Sequence, residues 1–265
     1  MLIRVQGVII RSMDYGEGGK IVTLLTETHG KTGVLIRGAS KPRSRYGSLA
    51  LPFTYGEFVF FKGSGLGTLS SGEIIRSHHK LRENIDLAAH ASYVAELTDR
   101  ALQDEEAGNW IFSQLIACLA ALEDGKDAAI TTHVYEMKIL QAAGYAPVLD
   151  RCVSCGRTEG LAALAPALGG AVCPACRAGG HQVLQLGDKA LKLLRLFAAV
   201  DLRRLGEVNV GPETKAAVRR GMRALVDAHL PHKLKSRAFL DSLDALGQPP
   251  IRPVPDGEAG AEPHG

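Results

Sequence analysis

A chain of 265 residues, 46% hydrophobic and 22% charged, is long enough to bury two compact cores and a small appendage. No apolar run reaches membrane-spanning length, and Arg4, Gln6 and Arg11 interrupt any signal-peptide core, so a cytoplasmic protein with no membrane partner is expected. The net charge of +3 is unevenly spread: residues 1–80 carry 11 Lys/Arg against 5 Asp/Glu, residues 81–150 carry 4 against 12, and residues 151–265 carry 16 against 11. Two basic ends around an acidic middle suit two contacts with a polyanion, against the plainer reading of solvated faces.

Residues 2 to about 76 read as five short strands, around Val5–Ile10, Ile21–Leu25, Thr32–Ile36, Phe58–Phe61 and Leu69–Ile75, separated by glycine-containing turns. Short connections make them antiparallel, and the pattern predicts an N-terminal OB-fold β-barrel over residues 1–80, with an SH3-like barrel as the alternative. Between the first two strands, Asp14 to Lys20 imitates a phosphate loop but fails as one, because Asp14 stands where the first glycine belongs and Ile21 where Ser or Thr belongs. It reads as a loop bordering the binding face of the barrel, with Lys20 at a phosphate. The following stretch, Arg37 to Ser48, holds Arg37, Lys41, Arg43 and Arg45 with no acidic residue, and its Gly, Ser and Pro predict an exposed, extended and mobile loop. Long cations there neutralise phosphates, the hydroxyls of Ser40, Ser44 and Ser48 add hydrogen bonds, and Tyr46 offers a ring on which a base can stack. The competing readings are a solvated basic loop and a packed tyrosine. In the fourth strand both faces are apolar, Phe58 and Phe60 on one and Val59 and Phe61 on the other, so burial on both sides is expected rather than a stacking platform.

From Leu81 the period becomes helical. One helix capped by Asn84 runs through Ala89, Tyr93 and Leu97, a second from Trp110 to Leu122 stops at Gly125, and a third capped by Asp127 stops at Gly144. Cys118 lies among apolar residues of the second helix and reads as a core thiol.

Four of the five cysteines then fall together as Cys152, Cys155, Cys173 and Cys176, two C-x2-C pairs with 17 residues between them. Each pair places two thiolates on one turn and the gap folds the second turn back, which is the spacing of an all-cysteine zinc site. Disulfides need an oxidising compartment, and a thioredoxin-like site explains one pair but not two. With four thiolates no place remains for water, so one structural Zn2+ is expected and His181 is not needed as a ligand.

Beyond the knuckle an amphipathic helix spans Leu186–Phe197, and Pro212 opens another. In the latter Lys215, Arg219 and Arg223 recur every four residues with Arg220 alongside, opposite Val218, Met222, Leu225, Val226 and His229, which predicts a cationic ridge facing solvent, read equally as plain solubility or as a second DNA or acidic-tail contact. Phe239, Leu240 and Leu243 return to the core, and residues 248–265, rich in Pro and Gly, read as a disordered tail. The remaining histidines, among them His78, His79, His133, His229 and His232, have no Ser, Cys or carboxylate pattern around them, so no catalytic constellation emerges.

The run from Tyr135 through Gly144-Tyr145-Ala146-Pro147 to Cys152, the basic loop Gly38 to Arg45, and Leu51-Pro52-Phe53 after it together resemble the RecO family of bacterial DNA repair proteins, in order and over residues 1 to about 245. The resemblance implies an α+β multidomain fold: an OB domain over 1–80, an α-helical domain over 81–149 plus 181–247, and a zinc-binding insertion over 150–180. It implies a non-enzymatic, nucleoid-associated mediator that binds single- and double-stranded DNA, anneals strands coated by single-strand-binding protein (SSB), contacts the acidic SSB tail, and acts with RecR in the RecF pathway to help RecA load. Some members lack the cysteine tetrad, which implies that zinc supports the fold and not the shared activity. The residues alone leave two other classes open, an RNA- or ribosome-associated OB and zinc-ribbon protein and a metal-dependent nuclease.

Overall fold

The computed structural model describes residues 1–103, 108–178, 182–230 and 233–247. The tail at 248–265, His181 and His232 lie outside the described residues. Strands β1 (Leu2–Tyr15), β2 (Gly19–Thr26), β3 (Gly30–Ile36), β4 (Tyr55–Phe61) and β5 (Gly67–Arg76) close a barrel in the order β1-β2-β3-β5-β4. All pairings are antiparallel except the short parallel contact of β3 with β5, which closes an OB-like barrel.

Strand β1 is long because it has two jobs. Ile3, Val5 and Ile9 fill the barrel with Val22, Leu24, Phe58 and Phe60, while Val8 and Ile10 point the other way into the core of the helices. A bulge between Ile9 and Arg11 re-aims the strand, and the segment 53–54 locks it: Phe53 N–H donates to the Ile9 carbonyl (2.8 Å) and Ile9 N–H to that of Thr54 (3.0 Å). In β4 only one face is buried. Phe61 is 58% exposed, contrary to the expectation of a strand covered on both sides, and it joins neither apolar cluster of the described residues.

Short α1 (His79–Glu83) leads into α2 (Ile85–Ala101), where the Asn84 side chain accepts from the amides of Asp86 and Leu87 at 3.0 and 3.1 Å. Then come α3 (Asn109–Glu123) and α4 (Ala128–Ala142), the latter capped by Asp127 onto the amide of Ile130. Helix α4 is buried from Ile130 to Leu140, so its polar side chains need internal partners. Glu136 receives the Tyr93 hydroxyl (2.5 Å) and His133 Nδ1 (2.7 Å), and Lys138 donates to the Ala198 carbonyl. Cys118 is fully buried on α3, as expected of a core thiol.

The cysteine segment contributes a small sheet of β6 (Ala163–Ala165), β7 (Gly170–Val172) and β8 (Leu184–Gln185), in the order β7-β6-β8. Leu164, Ala165 and Val172 belong to the same apolar cluster as α4 and the next helices, α5 (Asp188–Ala199) and α6 (Pro212–His229), so the knuckle is packed into the helical body. At the turn after α4, Tyr145 stacks on His229 of α6 (5.1 Å), whose Nε2 donates to the Pro166 carbonyl at 3.0 Å. That explains the Gly144-Tyr145 turn and gives His229 a packing role. In α7 (Lys235–Gly247) Leu240 packs on the core, but Phe239 is 48% exposed instead of returning to it.

Candidate nucleic-acid interface and metal centre

The four cysteine sulfurs lie within 4.8 Å of one another. Two tight turns put them there. Gly156 N–H bonds back to the Cys152 carbonyl (2.9 Å), and Pro174 opens a 3-10 turn in which Cys176 N–H bonds to that of Cys173 (3.1 Å). The turns are pressed together at Gly170, where a β-carbon would stand 2.2 Å from the Val148 carbonyl oxygen and 2.5 Å from Val153. Cys155 and Cys173 sulfurs are 3.7 Å apart, the edge of a tetrahedron with metal–sulfur bonds of about 2.3 Å.

The thiols are tuned toward this. Burial pushes the Cys152 thiol up, but the amides of Cys173, Cys155 and Ser154 aim at its sulfur and bring it down to about 6. Cys173 is lowered as well: against burial stand the Cys176 amide and the Cys155 side chain. Cys176 is pushed up to about 12 by Cys155 and Cys173 beside it, since four like charges cannot gather unaided. A bound cation would remove that obstacle, and the four sulfurs lie close enough to hold one metal ion with every ligand supplied by the protein.

The second candidate site is the basic loop between β3 and β4. It is tied down by successive turns rather than extended: Ser40 N–H bonds to Gly18 (3.0 Å), Lys41 to Gly38, Ser44 to Lys41 and Gly47 to Ser44. Ala39, Leu49 and Ala50 are buried in the barrel and anchor both ends. Gly18, at φ +90°, lets the β1–β2 turn sit on this loop, since a β-carbon there would be 2.9 Å from the Lys41 side chain. Arg37, Lys41, Arg43 and Arg45 are exposed, and none is in an ion pair among the described residues. A rigid base therefore displays four unneutralised cations, with Arg43 in the left-handed region at φ 61°.

Two expected members of this site behave differently. Lys20 is held by Asp14 at 2.9 Å, and Asp14 also accepts from the Ser40 hydroxyl at 3.1 Å. Those two bonds, Lys20 first, keep the Asp14 carboxyl below its usual range. Lys20 is thus a neutralised strut of the loop and not a free cation. Asp14 was not singled out in the sequence, and its place beside the failed phosphate loop was the available signal. Tyr46 is half-buried, its hydroxyl donates to the Ser70 carbonyl (3.1 Å), and the Arg45 guanidinium lies 4.5 Å above its ring. Its outer face is already occupied by a cation.

The helix α6 ridge also departs from expectation. Lys215 bonds to Asp127, Arg219 to Asp241 at 3.1 Å, and Arg223 to the same Asp241, so these cations are paired with the cap of α4 and with α7 while remaining partly exposed. Arg220, one position round the helix, is exposed. Periodicity placed the cations on one face but could not say which carboxylates pair with them.

No helix among the described residues is long and apolar enough to cross a membrane. Residues 1–78 match the family model "Recombination protein O N terminal" and residues 82–238 match "Recombination protein O C terminal". The chain is 40% identical over 246 residues to the DNA repair protein RecO of Bacillus pumilus (strain SAFR-032), covering 93% of this chain and 96% of that protein. It is 39% identical to DNA repair protein RecO of Bacillus subtilis (strain 168) over 246 residues, with the same coverage, and 37% identical to that of Halalkalibacterium halodurans over 247 residues, covering 93% of this chain and 97% of that one. With a five-stranded barrel, a helical body and a four-thiolate cluster in the matching order, the chain belongs to the RecO family of DNA repair proteins.

Proposed function

We propose that this protein is a non-enzymatic mediator of recombinational repair, which holds single- and double-stranded DNA, anneals complementary strands coated by SSB, and acts with RecR to promote RecA loading. The observation that carries this reading is the set of four exposed cations with no acidic partner among the described residues, Arg37, Lys41, Arg43 and Arg45, on a pinned loop of an OB-like barrel. Long side chains fixed at their base and free at their tips neutralise phosphates and release counterions, which lowers the repulsion between two strands brought close. Base pairing then supplies the annealing energy, and no covalent step is asked of the protein. Lys215, Arg219 and Arg223 are engaged with carboxylates and serve the fold in this reading, while Arg220 remains available to a second strand.

The metal of the cysteine site is assigned as one Zn2+, because a saturated thiolate tetrahedron suits that ion and leaves no open position for catalysis. When bound it supplies charge neutralisation for the four sulfurs and fixes the two turns. The acidic tail of SSB and RecR are the expected protein partners.

Annealing of complementary SSB-coated oligonucleotides, followed by fluorescence across a salt series, tests the reading. The Arg43→Ala/Arg45→Ala variant should anneal more slowly than the parent, with the gap closing as salt rises. Equal rates at every ionic strength contradict it, and a preference for RNA over single-stranded DNA in competition would favour an RNA-associated protein.

A further inference from the structure

Where the barrel, α2 and the start of α7 meet, the surface opens into a cleft of about 560 Å3. Its floor is apolar, from Ile10, Phe53 and Ala95, and its rim carries Arg11, Arg82, Arg100 and Lys235 against only two carboxylates, Glu96 and Asp99. Both carboxylates are already committed. Glu96 accepts from the amides of Lys235 and Ser236 (3.1 and 2.8 Å), and Asp99 faces Lys31 Nζ at 3.6 Å and Arg11 at 3.9 Å. Arg100 and Lys235 are exposed, and neither is in an ion pair among the described residues. An apolar floor under surplus positive charge complements a ligand that joins an anion to a flat, weakly polar group.

The cleft is continuous with the basic loop. Pro52 and Phe53 end the segment that begins at Arg37, and Ser12 in the cleft donates to the Ala50 carbonyl at 2.8 Å. Two residues along the same strand, about 7 Å on, Asp14 holds Lys20 and Ser40 beside Lys41. Phe53 forms part of the floor in the left-handed region at φ 71°, a conformation an aromatic residue adopts only when its surroundings impose it, here through the two hydrogen bonds that tie Ile9 to Phe53 and to Thr54.

We propose that this cleft is a nucleotide pocket of the DNA interface: a single strand lying along the Arg37–Arg45 loop turns one nucleotide into it, the phosphates against Arg100 and Lys235 and the base over the Ile10, Phe53 and Ala95 floor. The inference rests on the reading that the loop binds DNA. Adjacency to the loop cations, across Ser12 and the segment that ends at Phe53, favours a nucleic acid over an acidic peptide as the occupant.

Fluorescence anisotropy of the full chain with oligothymidylates of about 4 and about 16 nucleotides, over a salt series, separates the two contacts. The Arg100→Ala/Lys235→Ala variant should bind the short strand as the parent does. For the long strand its log–log salt slope should be shallower by about 1.4, two phosphate contacts at about 0.7 each. An unchanged slope with the long strand overturns the cleft assignment and leaves the loop reading standing. The loop reading falls by itself if Arg43→Ala/Arg45→Ala binds both strands like the parent. If the cleft variant keeps both strands but loses an acidic peptide ending in an apolar residue, the pocket belongs to a peptide and the proposal is overturned. Both replaced side chains are exposed, so the variant should melt with the parent.

Discussion

The β3–β4 loop and helix α6 carry nearly the same cations and use them in opposite ways. Arg37, Lys41, Arg43 and Arg45 rise from a pinned loop and are in no ion pair among the described residues, while Lys215, Arg219 and Arg223 each reach Asp127 or Asp241. A charge without a partner is available to a ligand, and a charge with one is part of the fold. Which case applies depends on residues far away in the chain: Asp127 is 88 positions from Lys215.

The largest expected effect sharpens this division through the metal. Replacing Cys173 by Ser, or treating the protein with a chelator, should remove a metal contribution of the kind that reaches about 10–16 kcal/mol in zinc-finger peptides. The damage should fall on the helical side, because His229 of α6 is tied to the knuckle at Pro166. Circular dichroism melting should show a large loss of stability, and affinity for a short single strand at low temperature should change little. Next in size, Asp241→Ala leaves Arg219 and Arg223 without their shared partner. Since the side chains are about a third exposed, screening limits the cost to about 1–2 kcal/mol in urea titrations.

The junction between the two regions should reveal itself by pH. His78 is fully buried beside Glu123, and its pKa is lowered from 6.5, first by burial, which Arg76 and Arg82 reinforce and Glu123 opposes without overcoming. The unfolded chain therefore takes up this proton before the folded one does, and stability falls as pH drops below about 6.5. Glu123 adds to the trend: despite burial, His78 and Arg76 lower it from 4.5, so its contribution is full above that value and lost as pH falls further. His78→Asn, a residue suited to the left-handed backbone there, should remove the upper part of the slope in melting temperature against pH.

Much of the fold was legible in the sequence because it rests on local signals. Alternation gave the strands, Asn84 and Asp127 gave the helix starts, and the paired C-x2-C spacing gave the metal cluster. The misreadings were of contacts between one element and another, whether adjacent or distant in the chain. Phe61 and Phe239 have apolar side chains but no neighbour among the described residues that buries them, Lys20 met Asp14 across a hairpin, and the α6 cations paired with Asp127 and Asp241. The cleft beneath Phe53 gave no sequence signal at all, since its walls come from the barrel, α2 and α7.

The smallest expected effect is on the loop variant's own stability. Arg43→Ala/Arg45→Ala removes exposed side chains without ion partners and should stay within about 0.5 kcal/mol of the parent. That makes it a clean probe. The salt dependence of single-strand affinity, measured for the parent, this loop variant and Lys215→Gln, tests most directly whether unpaired loop cations make the nucleic-acid contact. The loop variant should lose about 1.4 from the log–log slope and Lys215→Gln nothing. Three equal slopes, or a loss confined to the α6 variant, would contradict the account.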